Sequence, residues 1–144
     1  MVIGIIGESC VGKSTLAQLL KERLGAEVFT GKDYLRFAKN EANAKRLFQE
    51  KLETALTGEH VVYVISEREH LDHLPEGSVR VLMTADLDII FERFAQRMRG
   101  VLPAPVKQML ERKHGCFDNE CYTYRIHNSE KVDAVCSMIQ EEIA

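Results

Sequence analysis

The sequence predicts a single α/β domain in which a parallel sheet of about five strands is covered on both faces by helices. Short apolar runs alternate with helical segments along the chain, which is typical of this fold class. The 144 residues suffice for one hydrophobic core, and no repeat, low-complexity tract or polar linker divides them. The predicted architecture is therefore a three-layer α/β/α domain.

The first strand and the first helix are the most clearly marked elements. Residues 2–6 form an apolar, β-branched run that ends at Gly7, which is typical of a strand buried on both faces. From Ser14 the leucines recur at helical spacing up to Leu24, and Gly25 provides a stop. We therefore expect a strand, a glycine-containing turn and an amphipathic helix at the start of the chain.

The remaining elements continue the alternation. A second strand is predicted over residues 26–30, and one long helix over residues 33–56. Further strands are predicted at 61–65, 79–83 and 123–126, and further helices at 87–99, 105–114 and 130–143. In such sheets ligands bind outside the carboxyl ends of the strands, so the loops that follow the strands should converge on one site. These loops start at Gly7, Thr30, Ser66 and Thr84.

Charge and composition disfavour several classes of function. The 19 Lys and Arg residues against 22 Asp and Glu residues give a net charge of −3, so the chain lacks the overall basic field of a non-specific nucleic-acid or membrane-surface binder. No apolar run approaches the ~18 residues of a spanning helix, and no basic segment precedes an apolar stretch at the N-terminus. We therefore expect a cytoplasmic protein with a small-molecule partner and neither a nucleic-acid nor a membrane partner. The oligomeric state stays open.

The four cysteines include no CxxC pair and predict reduced thiols rather than a disulfide framework. One alternative is a zinc site, because His114, Cys116, Cys121 and His127 lie close together in the sequence. Their spacing fits no regular zinc pattern. We favour ordinary thiols and hydrogen-bonded histidines.

Residues 7–14 carry the strongest functional signal. Their sequence, GESCVGKS, matches the pattern G-x-x-x-x-G-K-[ST] and lies between the first strand and the first helix, where a phosphate-binding loop (P-loop) is expected. Gly7 and Gly12 permit the backbone N–H groups to turn inward around a phosphate, and the helix adds its positive N-terminal end. Lys13 is expected to reach the β- and γ-phosphates, and the Ser14 hydroxyl to ligate Mg²⁺. The nucleotide-binding residues predicted in this loop are Gly7, Glu8, Ser9, Cys10, Val11, Gly12, Lys13, Ser14 and Thr15.

A basic segment favours phosphoryl transfer over simple binding. No guanine-reading Asn-Lys-x-Asp follows a later strand, and no Leu-Ser-Gly-Gly signature of transporter ATPases occurs, which disfavours those two classes. Residues 93–114 carry six Lys or Arg residues against one Glu, a net charge of +5. Such a segment can close over a triphosphate and neutralise the charge that develops on the transferred group. The alternative is a solvated helix face. The cations are Arg93, Arg97, Arg99, Lys107, Arg112 and Lys113.

Three stretches carry a resemblance to a known family. They are residues 7–15, residues 79–97 and residues 124–129, which correspond to the P-loop, to the fourth strand with the arginines after it, and to the fifth strand with its following loop. On these stretches the sequence resembles the nucleoside monophosphate kinase and shikimate kinase group of P-loop kinases, most of all its small cytidylate-kinase-like branch. The resemblance covers nearly the whole chain. It implies a P-loop NTPase fold with strand order 2-3-1-4-5, one domain over residues 1–144 with a short lid around 93–114, and ATP with Mg²⁺ as the donor.

The resemblance also implies roles for individual residues. Asp33 is placed like the carboxylate that orients the acceptor, although a cap of the helix that begins there is the alternative. Asn128 is placed near the adenine. The candidate catalytic residues are Lys13, Arg93, Arg97 and Asp33, with Arg99 as a further lid arginine. The candidate acceptor-binding residues are Asp33, Arg36, Glu67 and Arg68.

One departure from the family pattern concerns the third strand. Many members have Asp-Gly or Gly-Gly after this strand, whereas this chain has Ile65, Ser66 and Glu67. The carboxylate near Mg²⁺ must then be Glu67 or Asp33, or it is missing. The sequence as a whole predicts an ATP-dependent kinase of a nucleoside monophosphate or a small hydroxylated acceptor. The alternatives are a nucleotide-binding regulatory or interaction module and a stand-alone ATPase.

Overall fold

A five-stranded parallel sheet in the order β2-β3-β1-β4-β5 forms the centre of the fold, as predicted. The structure is a computed structural model and describes residues 1–143. The strands are β1 (Val2–Gly7), β2 (Glu27–Thr30), β3 (Val61–Ile65), β4 (Val79–Thr84) and β5 (Tyr124–His127). The α-helices are α1 (Lys13–Leu24), α2 (Glu41–Ala55), α3 (Leu87–Arg97), α4 (Ala104–Lys113) and α5 (Val132–Ile143). Two 3-10 helices span Gly31–Phe37 and Arg68–His73.

Strand β1 occupies the middle of the sheet and is buried along its whole length. Its residue Ile5 lies between Val64 of β3 and Val81 of β4 in the parallel ladders. Side chains that alternate along β1 enter two separate hydrophobic clusters, one shared with α1 and α5 and the other shared with α2. This division places helices on both faces of the sheet, so the predicted three-layer architecture is confirmed.

The cluster beneath α2 is rich in aromatic rings. Phe48 is fully buried, and its ring centroid lies 4.9 Å from that of Tyr63, 5.5 Å from that of Phe29 and 5.7 Å from that of His73. The Tyr63 hydroxyl donates to the carbonyl of Gly31 at 2.8 Å and accepts from Nδ1 of His73 at 2.9 Å. Burial first, and a neighbouring histidine second, lower the pKa of His73 to about 4. His73 is therefore a neutral core residue at physiological pH.

The single helix predicted over residues 33–56 is wrong, because the structure divides it into the first 3-10 helix and α2. Ala38 is extended, with φ at −162°, and ends the 3-10 helix. Asn40 then caps α2, since its side-chain oxygen accepts a hydrogen bond from the backbone N–H of Asn43 at 3.1 Å. The second 3-10 helix, at Arg68–His73, was also not predicted. The other predicted elements match the observed ones to within a few residues at their ends.

No helix within residues 1–143 is both long enough and apolar enough to cross a membrane. Because all five strands are parallel, the loops after them emerge at one edge of the sheet. That edge carries the predicted phosphate-binding loop.

Candidate active site

The loop between β1 and α1 has the backbone shape that its glycines predict. A Cβ on Gly7 would lie 2.5 Å from the carbonyl oxygen of Met83, so only glycine fits beside β4 at this position. Gly12 has φ at 100°, and a Cβ there would lie 2.6 Å from Oγ of Ser129. Cys10 also adopts a left-handed conformation, with φ at 65°, which is unusual for a residue with a side chain. The loop is therefore held in one tight conformation by β4 on one side and by the segment after β5 on the other.

Lys13 is folded back into this loop. Its side chain is buried, and Nζ donates to the carbonyl of Gly7 at 2.6 Å and to the carbonyl of Glu8. Burial, and secondarily the nearby Arg97, lower the pKa of Lys13 to about 8. The loop thus holds a lysine that is only partly compensated by carbonyl dipoles, which favours an anionic group beside it.

Two adjoining cavities open above the P-loop. The first, of about 280 Å³, is lined by Ser9, Cys10, Gly12, Lys13, Ser14, Thr15, Thr30, Val64, Ser66 and Arg97. The second, of about 490 Å³, is lined by Cys10, Gly12, Thr15, Arg93, Gln96, Arg97 and Ser129. The loops after β1, β2 and β3 therefore meet at one site, as expected, whereas the loop after β4 lines neither cavity. Arg97 lines both cavities. Thr30, Ser66, Gln96 and Ser129 line these cavities, although no role was predicted for their side chains.

Two of the three predicted lid arginines, Arg93 and Arg97, lie at this site. The guanidinium of Arg93 donates to the carbonyl of Cys10 in the P-loop at 2.9 Å, and Arg97 is near enough to Lys13 to affect its pKa. Lys107, another cation of the basic segment, lies instead over the ring of Phe91, with Nζ 5.2 Å from the ring centroid. Arg99 lines neither cavity. Of the six cations of the basic segment, only Arg93 and Arg97 of α3 line these cavities.

Asp33 has the geometry of a capping residue. Its Oδ2 accepts from the backbone N–H of Thr30 at 2.8 Å and from the Thr30 hydroxyl at 3.2 Å, which completes a capping box at the start of the first 3-10 helix. Arg36 pairs with the same carboxylate oxygen at 3.4 Å. Neither Asp33 nor Arg36 lines the cavities above the P-loop. Asp33 connects to the site through its hydrogen bonds to Thr30, which lines the first cavity, and Arg36 connects through Asp33.

Asn128 joins two loops of the scaffold. Its side-chain oxygen accepts from the backbone N–H of Asp86 at 2.8 Å, and its amide donates to the Asp86 carboxylate at 3.0 Å. His127 bridges the same carboxylate, at 3.1 Å, to the Thr84 hydroxyl, at 2.8 Å. The hydrogen bonds from Asn128 and His127 lower the pKa of Asp86. Asn128 thus fixes the loop that presents its neighbour Ser129 to the second cavity.

The side chain of Glu8 points away from the phosphate cavities and binds the chain after α4. Its carboxylate accepts from the backbone N–H of Gly115 at 3.1 Å and contacts Nδ1 of His114 at 3.2 Å. Glu8 is almost fully buried, so these contacts replace its hydration. Residues 113–120, which we name the cover segment, are therefore attached directly to the P-loop.

The acceptor-binding residues predicted after β3 are also attached to the cover segment. Arg68 donates to the carbonyl of Cys116 at 2.6 Å and pairs with the carboxylate of Glu120 at 2.9 Å. Glu67 pairs with Lys113 at 3.5 Å. The space between the P-loop, β3 and the cover segment measures only about 30 Å³. The cover segment therefore closes the space beside Glu67, whereas the first cavity stays open at Thr30 and Ser66.

The histidines and cysteines weighed as zinc ligands are used differently. His114 contacts Glu8, and His127 contacts Thr84 and Asp86. Within residues 1–143, no group of three or more His, Cys, Asp or Glu side chains is placed to hold a metal ion. Ser14 lines the first cavity beside Lys13, and its hydroxyl could contribute one ligand to a metal there.

Comparison with known proteins places the fold. No protein-family model matches the sequence, and no curated protein matches it significantly. Among solved structures, an uncharacterised protein from Eubacterium ventriosum shares 18% identity over 99% of this chain and 98% of its own, with a TM-score of 0.67. The shikimate kinase of Acinetobacter baumannii, solved with shikimate, shares 15% identity over 98% and 93% of the two chains, with a TM-score of 0.63. The YorR protein of Bacillus subtilis, solved with phosphorylated GDP, shares 17% identity over 99% and 95%, with a TM-score of 0.61. The chain therefore has the α/β fold seen in P-loop kinases.

Proposed function

We propose that the protein is an ATP-dependent kinase of a small molecule. The observation that carries the proposal is the convergence of Lys13, Arg93 and Arg97 on the two cavities above the P-loop. A binding loop alone needs only its backbone and the lysine, whereas phosphoryl transfer also needs cations that neutralise charge as the γ-phosphoryl group moves. The shared fold with the A. baumannii shikimate kinase supports the same conclusion.

The residues of the site would act by positioning and electrostatics. Lys13 would exchange the carbonyls of Gly7 and Glu8 for phosphate oxygens, with the P-loop N–H groups around the same oxygens. Arg97 lies between the cavities and would contact the transferred group, while Arg93 holds the loop through Cys10. Mg²⁺, held by Ser14 and phosphate, would supply further charge neutralisation. No covalent nucleophile is needed, and Cys10 would be a loop residue rather than a nucleophile.

The proposed acceptor is a nucleoside monophosphate or a small hydroxylated compound. The first cavity extends from Lys13 to Thr30 and Ser66, at the ends of β2 and β3, and an acceptor would occupy it beside the γ-phosphate. Asp33, Arg36, Glu67 and Arg68 remain the proposed acceptor-binding residues, with Asp33 acting through Thr30. The cytidylate-kinase-like assignment, a single domain over residues 1–144 with a lid around 93–114, and a cytoplasmic location belong to the same proposal.

A nucleotide-binding regulatory or interaction module is the second candidate. It is favoured by the occupation of Arg68 by Glu120 and of Asp33 by Thr30 and Arg36, since these contacts engage residues that an acceptor would use. A stand-alone ATPase is a third candidate. The three candidate functions differ in whether ADP forms and in whether its formation requires an acceptor.

A coupled assay of ADP formation separates the candidates. The wild-type protein is incubated with ATP, Mg²⁺ and a panel of nucleoside monophosphates, hydroxylated acids and sugars. ADP that appears only with an acceptor supports the kinase. ADP without any acceptor indicates an ATPase, and ATP binding without turnover on any acceptor indicates the module.

Lys13→Ala tests the nucleotide site itself. A ligand at about 100 times its Kd adds roughly 2.7 kcal/mol to the free energy of unfolding, so ATP should raise the melting temperature of the wild type by several degrees. We expect Lys13→Ala to lose this shift. Lys21→Ala, which removes an exposed lysine from α1, is the matched control and should keep it. An unchanged shift in Lys13→Ala would contradict the proposed site.

A further inference from the structure

The cover segment fills the acceptor end of the site with groups from the chain itself. The space left beside Glu8, Ser66 and Cys116 is about 30 Å³, which holds little more than one water molecule. The cover segment contacts the residues that follow β1 and β3, namely Glu8, Glu67 and Arg68. An anionic acceptor that pairs with Arg68 must therefore replace the contact of Arg68 with Glu120 in this segment.

The pair between Arg68 and Glu120 is the contact that a ligand can most readily replace. A carboxylate on a guanidinium is the chemistry that a ligand carboxylate or phosphate would offer to the same arginine. The Arg68 side chain is 60% exposed, so the pair is screened by water and salt and contributes little to stability. Phe117, in contrast, is buried in the aromatic cluster beneath α2 and ties the segment to the core. Release would therefore be local to the part of the segment that faces Arg68.

We propose that the cover segment is an internal competitor of the acceptor, in which Glu120 occupies Arg68 in place of an anionic group of the substrate. An acceptor with a carboxylate or a phosphate monoester takes the place of Glu120 and opens the segment. This inference rests on the proposed kinase function. It deepens that proposal, because it selects anionic acceptors over neutral sugars and makes the closed structure the resting state.

Alkylation of the cysteines measures the opening directly. Cys116 lies in the cover segment and is half-buried, whereas the exposed Cys121 lies just outside it and serves as an internal reference. The ratio of the Cys116 rate to the Cys121 rate is read by peptide mass spectrometry after brief treatment with iodoacetamide. We expect Glu120→Gln to raise this ratio about two- to fivefold, the size expected for the loss of a partly exposed ion pair.

A matched variant and two ligands complete the alkylation experiment. Glu53→Gln removes the same charge from an exposed position on α2, at the opposite end of the sheet, and should leave the ratio unchanged. Shikimate and cytidine monophosphate, added separately, test the carboxylate and the phosphate. The anion that binds should raise the ratio in the wild type and have no further effect in Glu120→Gln. An unchanged ratio in Glu120→Gln, or no response of the wild type to either anion, would overturn the proposal.

Steady-state kinetics provide a second readout. On an acceptor that supports ADP formation, Glu120→Gln should lower KM for the acceptor about two- to fivefold and leave kcat nearly unchanged, since a competitor has been removed. A raised or unchanged KM would instead show that Glu120 only holds Arg68 in position. If no acceptor supports turnover, the kinase proposal fails, and the alkylation ratios still decide whether the cover segment opens through Glu120.

Discussion

Nucleotide binding should draw a proton onto Lys13. In the free protein, burial lowers the pKa of this lysine to about 8, because the carbonyls of Gly7 and Glu8 replace only part of its hydration. A triphosphate adds negative charge beside Nζ and stabilises the ammonium form, which raises its pKa in the complex. At a pH near 8, about half of the free molecules carry a neutral Lys13, so binding should take up about 0.5 proton per nucleotide.

The same pKa fixes how affinity changes with pH. The protonated fraction of Lys13 falls from about 0.9 near pH 7 to about 0.1 near pH 9, so the association constant should fall by about tenfold over that interval. Protonation of the phosphates does not obscure this change in affinity, because their last proton dissociates near pH 6, below the interval measured. Isothermal titration calorimetry in two buffers of different ionisation enthalpy gives the number of protons taken up.

Two variants test whether Lys13 is the source of the proton uptake. Lys13→Arg carries a guanidinium that stays charged, so its affinity, whatever its size, should not fall between about pH 7 and about pH 9. Arg97→Gln removes the second cause of the lowered pKa and should reduce the uptake near pH 8. Absence of proton uptake in the wild type, or equal uptake in Lys13→Arg, would refute the reasoning.

Three further predictions concern stability and the shape of the loop. The pKa of His73 is lower in the folded protein than in the unfolded chain, so the unfolded chain binds more protons and the free energy of unfolding falls as pH falls from about 6.5 towards 4. Denaturant titrations should show a loss of roughly 3 kcal/mol over this interval. The variant His73→Gln should not show this pH-dependent loss. Gly12→Ala places a Cβ against Ser129 at positive φ and should abolish the rise in melting temperature that ATP causes. Gly25→Ala is the control, because Gly25 also has a positive φ but a Cβ there meets no atom within 4 Å. It should keep the ATP-dependent rise and lower the free energy of unfolding by about 1 kcal/mol, measured by thermal unfolding. Phe48→Ala should lower the free energy of unfolding by about 3–5 kcal/mol in denaturant, and a loss below about 1 kcal/mol would contradict the account of the aromatic cluster.

The P-loop could be predicted because its parts are consecutive in the sequence. Gly7, Gly12 and Lys13 are separated by fixed short spacings, and the two glycines form the tight loop that the motif predicts. The alternation of strands and helices predicted the parallel sheet. The strand order 2-3-1-4-5 is confirmed as well, but it was implied by the family resemblance.

The features that escaped prediction depend on contacts between distant residues. Glu8 occupies a position where the motif accepts any residue, and its partner His114 lies 106 residues away. The helical spacing continues past residue 38, but Ala38 is extended and Asn40 starts a new helix. The role of Asp33 had a local signal, because a threonine three residues before an acidic residue is the pattern of a capping box. The choice between cap and acceptor ligand required the position of Thr30.

The capping box at Thr30 also determines where the first cavity offers a hydrogen-bond acceptor. The Thr30 hydroxyl donates its proton to Asp33, so towards the cavity this oxygen can only accept a hydrogen bond. Lys13 and Arg97 line the same cavity, and in their charged forms they can only donate. A ligand in this cavity would therefore be oriented by its donors and acceptors. Phosphate oxygens would accept hydrogen bonds from Lys13 and Arg97, and a hydroxyl group that still carries its proton would donate to Thr30. Under the proposed function, Asp33 would orient an acceptor hydroxyl through Thr30 without contacting it.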